Sequence, residues 1–199
     1  MRRLFFIRHG ATPGNLKRKY IGRTDEPLSE TGIQQAEMLA RKMAEEFEQG
    51  SEDSAVKGPD HIFTSPMLRA IQTAKIVFPG HEYTIVQDLS ETDFGIFEGK
   101  SALELKDSRE YRDWVDSMCL APVPGGEDVK AFKERCCNSF TDIMRTVPDN
   151  STVAIIAHGG VIMSIMEAFE ISDKSFYDYH IKNCEYIKCQ YDETRQEIL

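Results

Sequence analysis

The sequence predicts an α/β fold with a largely parallel sheet, and three observations carry that expectation. Short apolar runs alternate with longer segments whose apolar residues recur every three or four positions. The joints between them are short, as in strand–helix–strand units. A length of 199 residues fits one sizeable domain, or one domain with a small insertion.

Leu4 to Ile7 reads as a buried strand. The preceding Arg2-Arg3 faintly suggests a signal peptide, but Arg8 ends the apolar run too early for one. Ile33, Ala36, Leu39, Ala40, Met43, Ala44 and Phe47 carry helical spacing, with Ser29 as N-cap and Glu30 in the first turn. Glu48 to Pro59 is polar and reads as a loop. His61 to Thr64 is a second strand, and Pro66 suits the first turn of a helix running to Phe78. Tyr83 to Val86 is a short strand. Ser101 to Met118 is polar, with helical spacing through Leu105, Tyr111 and Trp114, and Pro122 to Gly126 is a turn. Val129, Phe132, Cys136, Phe140, Ile143, Met144 and Val147 mark a second long amphipathic helix. Val153 to Ala157 is the clearest buried strand, Gly159-Gly160 opens the helix after it, and Tyr186 to Tyr191 alternates as an edge strand.

Composition narrows the function. The formal net charge of −9 argues against broad nucleic-acid binding and against a polybasic membrane anchor. An anionic substrate remains compatible, because a pocket can be positive inside an acidic protein. No segment has the apolar length of a membrane span, so the expected location is cytoplasmic. The five cysteines have no disulfide-framework spacing and read as reduced packing residues. No His-Glu-x-x-His or helical His pair occurs among the five histidines, so no catalytic metal is expected; no cofactor is expected either.

Ligands of parallel sheets sit beyond the carboxyl ends of the strands. That draws attention to Arg8-His9-Gly10, Ser65-Pro66 and His158-Gly159-Gly160. Two histidines at strand ends, each followed by glycine, suit an anion approached by backbone amides. Arg8 and Arg69 stand near the same ends, and a guanidinium fork matches phosphate oxygens.

Arg8-His9-Gly10-Ala11-Thr12 with Asn15 resembles the signature of the histidine phosphatase superfamily, which includes the cofactor-dependent phosphoglycerate mutases. The likeness continues in order through Tyr20 to Asp25, Leu28 to Gly32, Ser65 to Ala74, Leu89 to Gly99, Pro124 to Glu127 and Ala157 to Gly160. It implies a phosphoglycerate mutase-like three-layer α/β/α sandwich, one domain over 1–199 with a cap-like insertion around 92–128.

By the same resemblance His9 is the nucleophile, neutral at its attacking nitrogen, with the other nitrogen donating to a backbone carbonyl. Arg8, Arg69 and His158 then surround the phosphoryl group without a metal. Glu91 is the proton donor and later the base for water. Asn15, Thr12, Gly22 and Gly159 complete the expected substrate contacts. Glu98 is expected to structure the Gly95-to-Gly99 turn and Glu127 to cap the helix that follows.

The implied activity is hydrolysis of small phosphomonoesters. His158-Gly159-Gly160 and Pro124 to Glu127 resemble the phosphatase branch, alpha-ribazole phosphatases especially, which makes alpha-ribazole 5′-phosphate one candidate substrate. A phosphoglycerate mutase is the alternative, although the segment Lys100 to Trp114 lacks a paired-arginine clamp. A catalytically silent binding member ranks last, since Arg8, His9, Arg69, Glu91 and His158 are all present. Tyr111, Trp114 and Met118 either meet the substrate's organic group or pack the cap. The chain beyond Gly160 is expected to contribute only fold.

Overall fold

The computed structural model describes residues 1–49 and 58–199. Its centre is a six-stranded sheet in the order β3-β2-β4-β1-β5-β6. The strands are β1 (Arg2–Arg8), β2 (His61–Thr64), β3 (Thr84–Ile85), β4 (Thr152–Ala157), β5 (Tyr186–Asp192) and β6 (Glu197–Ile198). β1, β2, β3 and β4 run parallel, while β5 pairs antiparallel with β1 and β6 antiparallel with β5. The sheet is therefore mixed and mostly parallel, as the alternation of elements implied.

Successive residues of a strand face opposite sides of the sheet, and here both sides are covered. Leu4, Phe6, Val153 and Ile155 pack on one side under α6 (Val129–Thr146) and α7 (Gly159–Phe169). Phe5, Ile7, Ala154 and Ile156 pack on the other under α2 (Glu30–Gln49) and α3 (Leu68–Val77). This gives the three layers. Burying both faces of β1 and β4 explains why their sequences are continuously apolar. A third apolar cluster stands apart from the sheet, with Phe97, Leu105, Trp114 and Val123 at its centre.

Local chemistry sets most boundaries. Ser29 Oγ accepts from the Gly32 N–H at 3.0 Å and so caps α2 as expected. The preceding element, α1 (Pro13–Leu16), is a single turn closed by a reciprocal Thr12–Asn15 capping box. Pro66 does not lie in the first turn of α3; Met67 is the N-cap and the helix starts at Leu68. The polar stretch after Ser101 is two helices, α4 (Ala102–Leu105) and α5 (Arg109–Asp116). Ser101 and Ser108 each accept a backbone N–H and start a separate turn. β5 is not an edge strand, because the two-residue β6 lies outside it. Of the loop expected over Glu48 to Pro59, residues 50–57 lie outside the described residues. No described helix is long and apolar enough to cross a membrane.

Candidate active site

Strand register builds the site. Arg8 lies opposite Ala157 and Thr64 opposite Ile156, so β1, β4 and β2 end side by side. The ladder continues one step past each strand: the His9 N–H donates to Ala157 O at 3.0 Å and the Ser65 N–H to Ile156 O at 2.9 Å. His9, Ser65 and His158 thereby meet at one edge. The His9 and His158 rings lie 5.0 Å apart, edge to face.

Both rings are nearly sealed from solvent, His9 at 4% and His158 at 0% exposure. Burial, reinforced by the Arg69 charge, holds both well below the ordinary histidine value, so each is neutral near pH 7. Hydrogen bonds then fix the tautomers. His9 Nδ1 donates to Gly10 O at 2.7 Å, which leaves the lone pair on Nε2. His158 Nδ1 accepts from Arg69 Nε at 3.3 Å, so its Nε2 carries the proton and donates to Ser65 Oγ at 2.7 Å.

The two arginines are held differently. Arg69 is completely buried and donates to Thr24 O at 2.9 Å and to Gly22 O at 2.9 Å, besides His158. It ties the loop of residues 21–24 beneath the site. Arg8 donates from Nη1 to Ile181 O at 2.7 Å and to His180 Nε2 at 3.3 Å, while its buried Nε has no partner among the described residues. Burial lowers both guanidiniums, and the Glu91 charge raises them back in part. A buried Arg N–H without an acceptor is costly unless an anion supplies one.

Glu91 is 8% exposed and sits against the start of α7, where Oε2 accepts from the Gly160 N–H at 3.0 Å and Oε1 from the Thr92 N–H at 3.0 Å. The approach requires glycine, because a Cβ at position 160 would collide with Glu91 Oε1. Gly22 has a similar role: a Cβ there would run into Thr92 O, so the 21–24 loop and the Glu91 segment pack backbone to backbone.

The remaining expected residues divide. Gly159 lies beside the Arg8 guanidinium. Thr12 is fully buried, and its hydroxyl accepts from the Asn15 N–H at 3.2 Å. Asn15 Oδ1 accepts from Thr12 N–H and from Asn183 Nδ2. The Glu98 side chain does not bond within the Gly95-to-Gly99 turn, where Asp93 Oδ1 accepts from the Gly95 N–H; its Oε1 accepts instead from the Gly22 N–H at 2.8 Å and the Thr24 N–H at 2.9 Å. Glu127 does not cap α6; Asp128 does, and Glu127 instead pairs with Arg135 at 2.6 and 2.8 Å.

Two groups escaped the sequence reading. Arg135 donates to Asp88 O, Ser90 O and Glu91 O, so one guanidinium clamps the segment that presents Glu91. Its place on the amphipathic α6 gives no sign of this. The chain after Gly160 also reaches the site: Asn183 Nδ2 donates to His9 O at 2.9 Å, and His180 and Ile181 hold Arg8. These residues follow no motif, and only the antiparallel return of β5 brings them near.

Arg8, Glu91, Gly159 and Gly160 line one cavity of about 650 Å³, whose remaining walls come mainly from residues 92–133 and 163–180. Trp114 and Met118 are among them; Tyr111 is not, and its hydroxyl bonds instead to that of Tyr20 at 2.9 Å. Among the described residues no group of three or more His, Cys, Asp or Glu side chains is placed to share a metal ion.

Residues 4–199 match the model of the histidine phosphatase superfamily, branch 1. The chain belongs to that superfamily. Its curated relatives include a putative phosphoserine phosphatase 2 from Hydrogenobacter thermophilus, 28% identical over 83% of this chain and 77% of the relative. A probable phosphoglycerate mutase from Yersinia pestis is 26% identical over 98% of this chain and 87% of its own length. Among solved structures, a putative alpha-ribazole-5′-P phosphatase from Escherichia coli superposes with a TM-score of 0.82 at 21% identity, covering 100% of this chain and 94% of that one. That likeness shows the phosphoglycerate mutase-like fold. Relatives within the histidine phosphatase superfamily are thus phosphatases or phosphoglycerate mutase-like proteins, and phosphomonoesters are the typical substrates.

Proposed function

We propose that this histidine phosphatase family member hydrolyses small phosphomonoesters through a phosphohistidine on His9. One observation carries the reading: His9 is neutral, its Nδ1 proton is engaged by Gly10 O, and Nε2 is left as the nucleophile beside an arginine whose buried Nε lacks an acceptor among the described residues.

In the first step His9 Nε2 attacks phosphorus, the N–P bond forms and the ester P–O bond breaks. Arg8, the Gly159 amide at the start of α7 and the remaining Arg69 donor stabilise charge on the phosphoryl oxygens. Asn15 adds a donor through its side-chain amide. Glu91 passes a proton to the leaving alkoxide. In the second step Glu91 takes a proton from water, the water oxygen bonds to phosphorus, and the N–P bond breaks. His158 stays neutral, holding Arg69 and packing against His9. Residues 92–128 act as a cap over the site of a single domain. Alpha-ribazole 5′-phosphate enters as a candidate through likeness to the solved alpha-ribazole phosphatases alone.

The test is a panel of phosphomonoesters assayed in EDTA, with His9→Ala in parallel. Phosphate release by the wild type, unaffected by chelator and lowered at least a thousandfold by His9→Ala, is expected. Release that survives the substitution or needs a divalent metal contradicts the mechanism. Phosphoryl transfer between phosphoglycerates without net release would identify a mutase instead.

A further inference from the structure

The cavity beside Glu91 carries information about the alcohol half of the substrate. Its walls are formed by Phe94, Trp114, Leu120, Phe132, Met163 and Phe176, drawn from the cap, from α6, from α7 and from the turn before Tyr177. A volume of about 650 Å³ is the size of a drug-like ligand site, far larger than a three-carbon acid needs.

The charges in the cavity point the same way. Besides Glu91, the carboxylates of Asp93, Glu127 and Glu167 line it; Glu127 is paired with Arg135, Glu167 with Lys133, and Asp93 stands 3.8 Å from Arg23. The lining cations are Arg8, which faces the phosphoryl end, and Lys133. Lys133 is already committed: its Nζ pairs with Glu167 Oε2 at 2.5 Å and stands 4.5 Å over the Phe176 ring. Among the described residues, no lysine or arginine lining the cavity is left to meet a carboxylate on the substrate, and the lining His180 ring has its Nε2 against Arg8. A phosphorylated hydroxy acid or amino acid would bring a second anion into a largely apolar cavity whose lining lysine is already paired.

We propose that this cavity selects phosphomonoesters of bulky aromatic alcohols that carry no carboxylate. The proposal rests on the reading of this site as a phosphomonoesterase, since it names the alcohol that site accepts. It separates this chain from substrates of the phosphoserine and phosphoglycerate type suggested by the names of its relatives. The aromatic ring stacks among Trp114, Phe132 and Phe176, and the phosphoryl group lies toward Arg8 and the Gly159 amide.

The test separates binding from turnover. Trp114 is the sole tryptophan and lines the cavity, so its fluorescence reports occupancy directly. The intact protein is titrated with two non-hydrolysable phosphonates, naphthylmethylphosphonate and 3-phosphonopropionate. The account expects the naphthyl compound to quench Trp114 and bind at least tenfold tighter. Leu120→Arg, which adds a cation at an exposed position of the cavity rim, should reverse or erase that ratio. Phe132→Leu should weaken the naphthyl compound while sparing the carboxylated one. Equal or tighter binding of 3-phosphonopropionate by the wild type overturns the proposal. Hydrolysis of naphthyl phosphate, phosphoserine and 3-phosphoglycerate is then compared. Turnover of all three at similar kcat/KM overturns the proposal and leaves the phosphatase reading intact. Selective naphthyl binding without any hydrolysis supports the cavity's preference and overturns the phosphatase reading.

Discussion

The strand-end cluster and the cavity wall are built on opposite plans. At the strand ends, His9, Ser65, Arg69 and His158 are buried, and nearly every donor and acceptor has a named partner. In the wall, Trp114, Phe132 and Met163 offer apolar surface, and the segment after α5 is exposed at Met118 and Leu120. The first plan fixes a few atoms in one arrangement, as phosphoryl transfer requires. The second offers apolar area that tolerates substitution. On the proposed mechanism the difference makes chemistry and recognition separable, with Glu91 and Arg8 serving both.

The largest effect that sharpens the contrast should come from Arg69→Met. It leaves the Gly22 carbonyl and His158 Nδ1 buried without donors and removes the bond to the part-buried Thr24 carbonyl. Thermal or urea unfolding should show a loss of about 3 kcal/mol, with activity lost as well. A wall substitution such as Met163→Leu should cost less than about 1.5 kcal/mol. Equal losses at the two sites would break the comparison.

A smaller effect is expected from Arg135→Met. Without the clamp on Asp88, Ser90 and Glu91 carbonyls, Glu91 is presented less accurately. kcat should fall about tenfold to a hundredfold for alkyl phosphates, whose leaving group needs a proton. It should change little for nitrophenyl phosphate, whose leaving group does not. A uniform fall across leaving groups would mean that Arg135 acts only on the fold.

The smallest effect concerns pH. His9 and His158 are held below their unfolded value by burial. The unfolded chain therefore binds more protons as pH falls below about 6.5, and stability is lost over that acid window. Melting temperatures between pH 5 and 7 should fall less steeply in His158→Gln than in the wild type. An unchanged slope would assign the acid sensitivity elsewhere.

This division also explains what was legible from the chain. The strand-end residues fall in short contiguous stretches, each one strand long and followed by glycine or proline, so local pattern exposed them. The tautomer of His158 was not legible, because Arg69 and Ser65 reach it only through strand register. The split of the polar stretch was written in Ser101-x-x-Glu104 and again at Ser108, but the continuing apolar spacing masked both caps. The Glu127–Arg135 pair was hidden by the neighbouring Asp128, which takes the cap position. Met118 and Cys119 adopt positive φ without a glycine to announce the turn. The wall is assembled from distant segments whose residues each look like ordinary core or surface.

The central claim is that His9 carries the phosphoryl group. It is tested most directly by mixing the protein with a radiolabelled phosphomonoester, quenching in alkali on the millisecond scale and mapping the label by peptide mass spectrometry. The account predicts label on His9 during turnover and none in His9→Ala. Turnover with no labelled histidine, or with the label on His158, would contradict it.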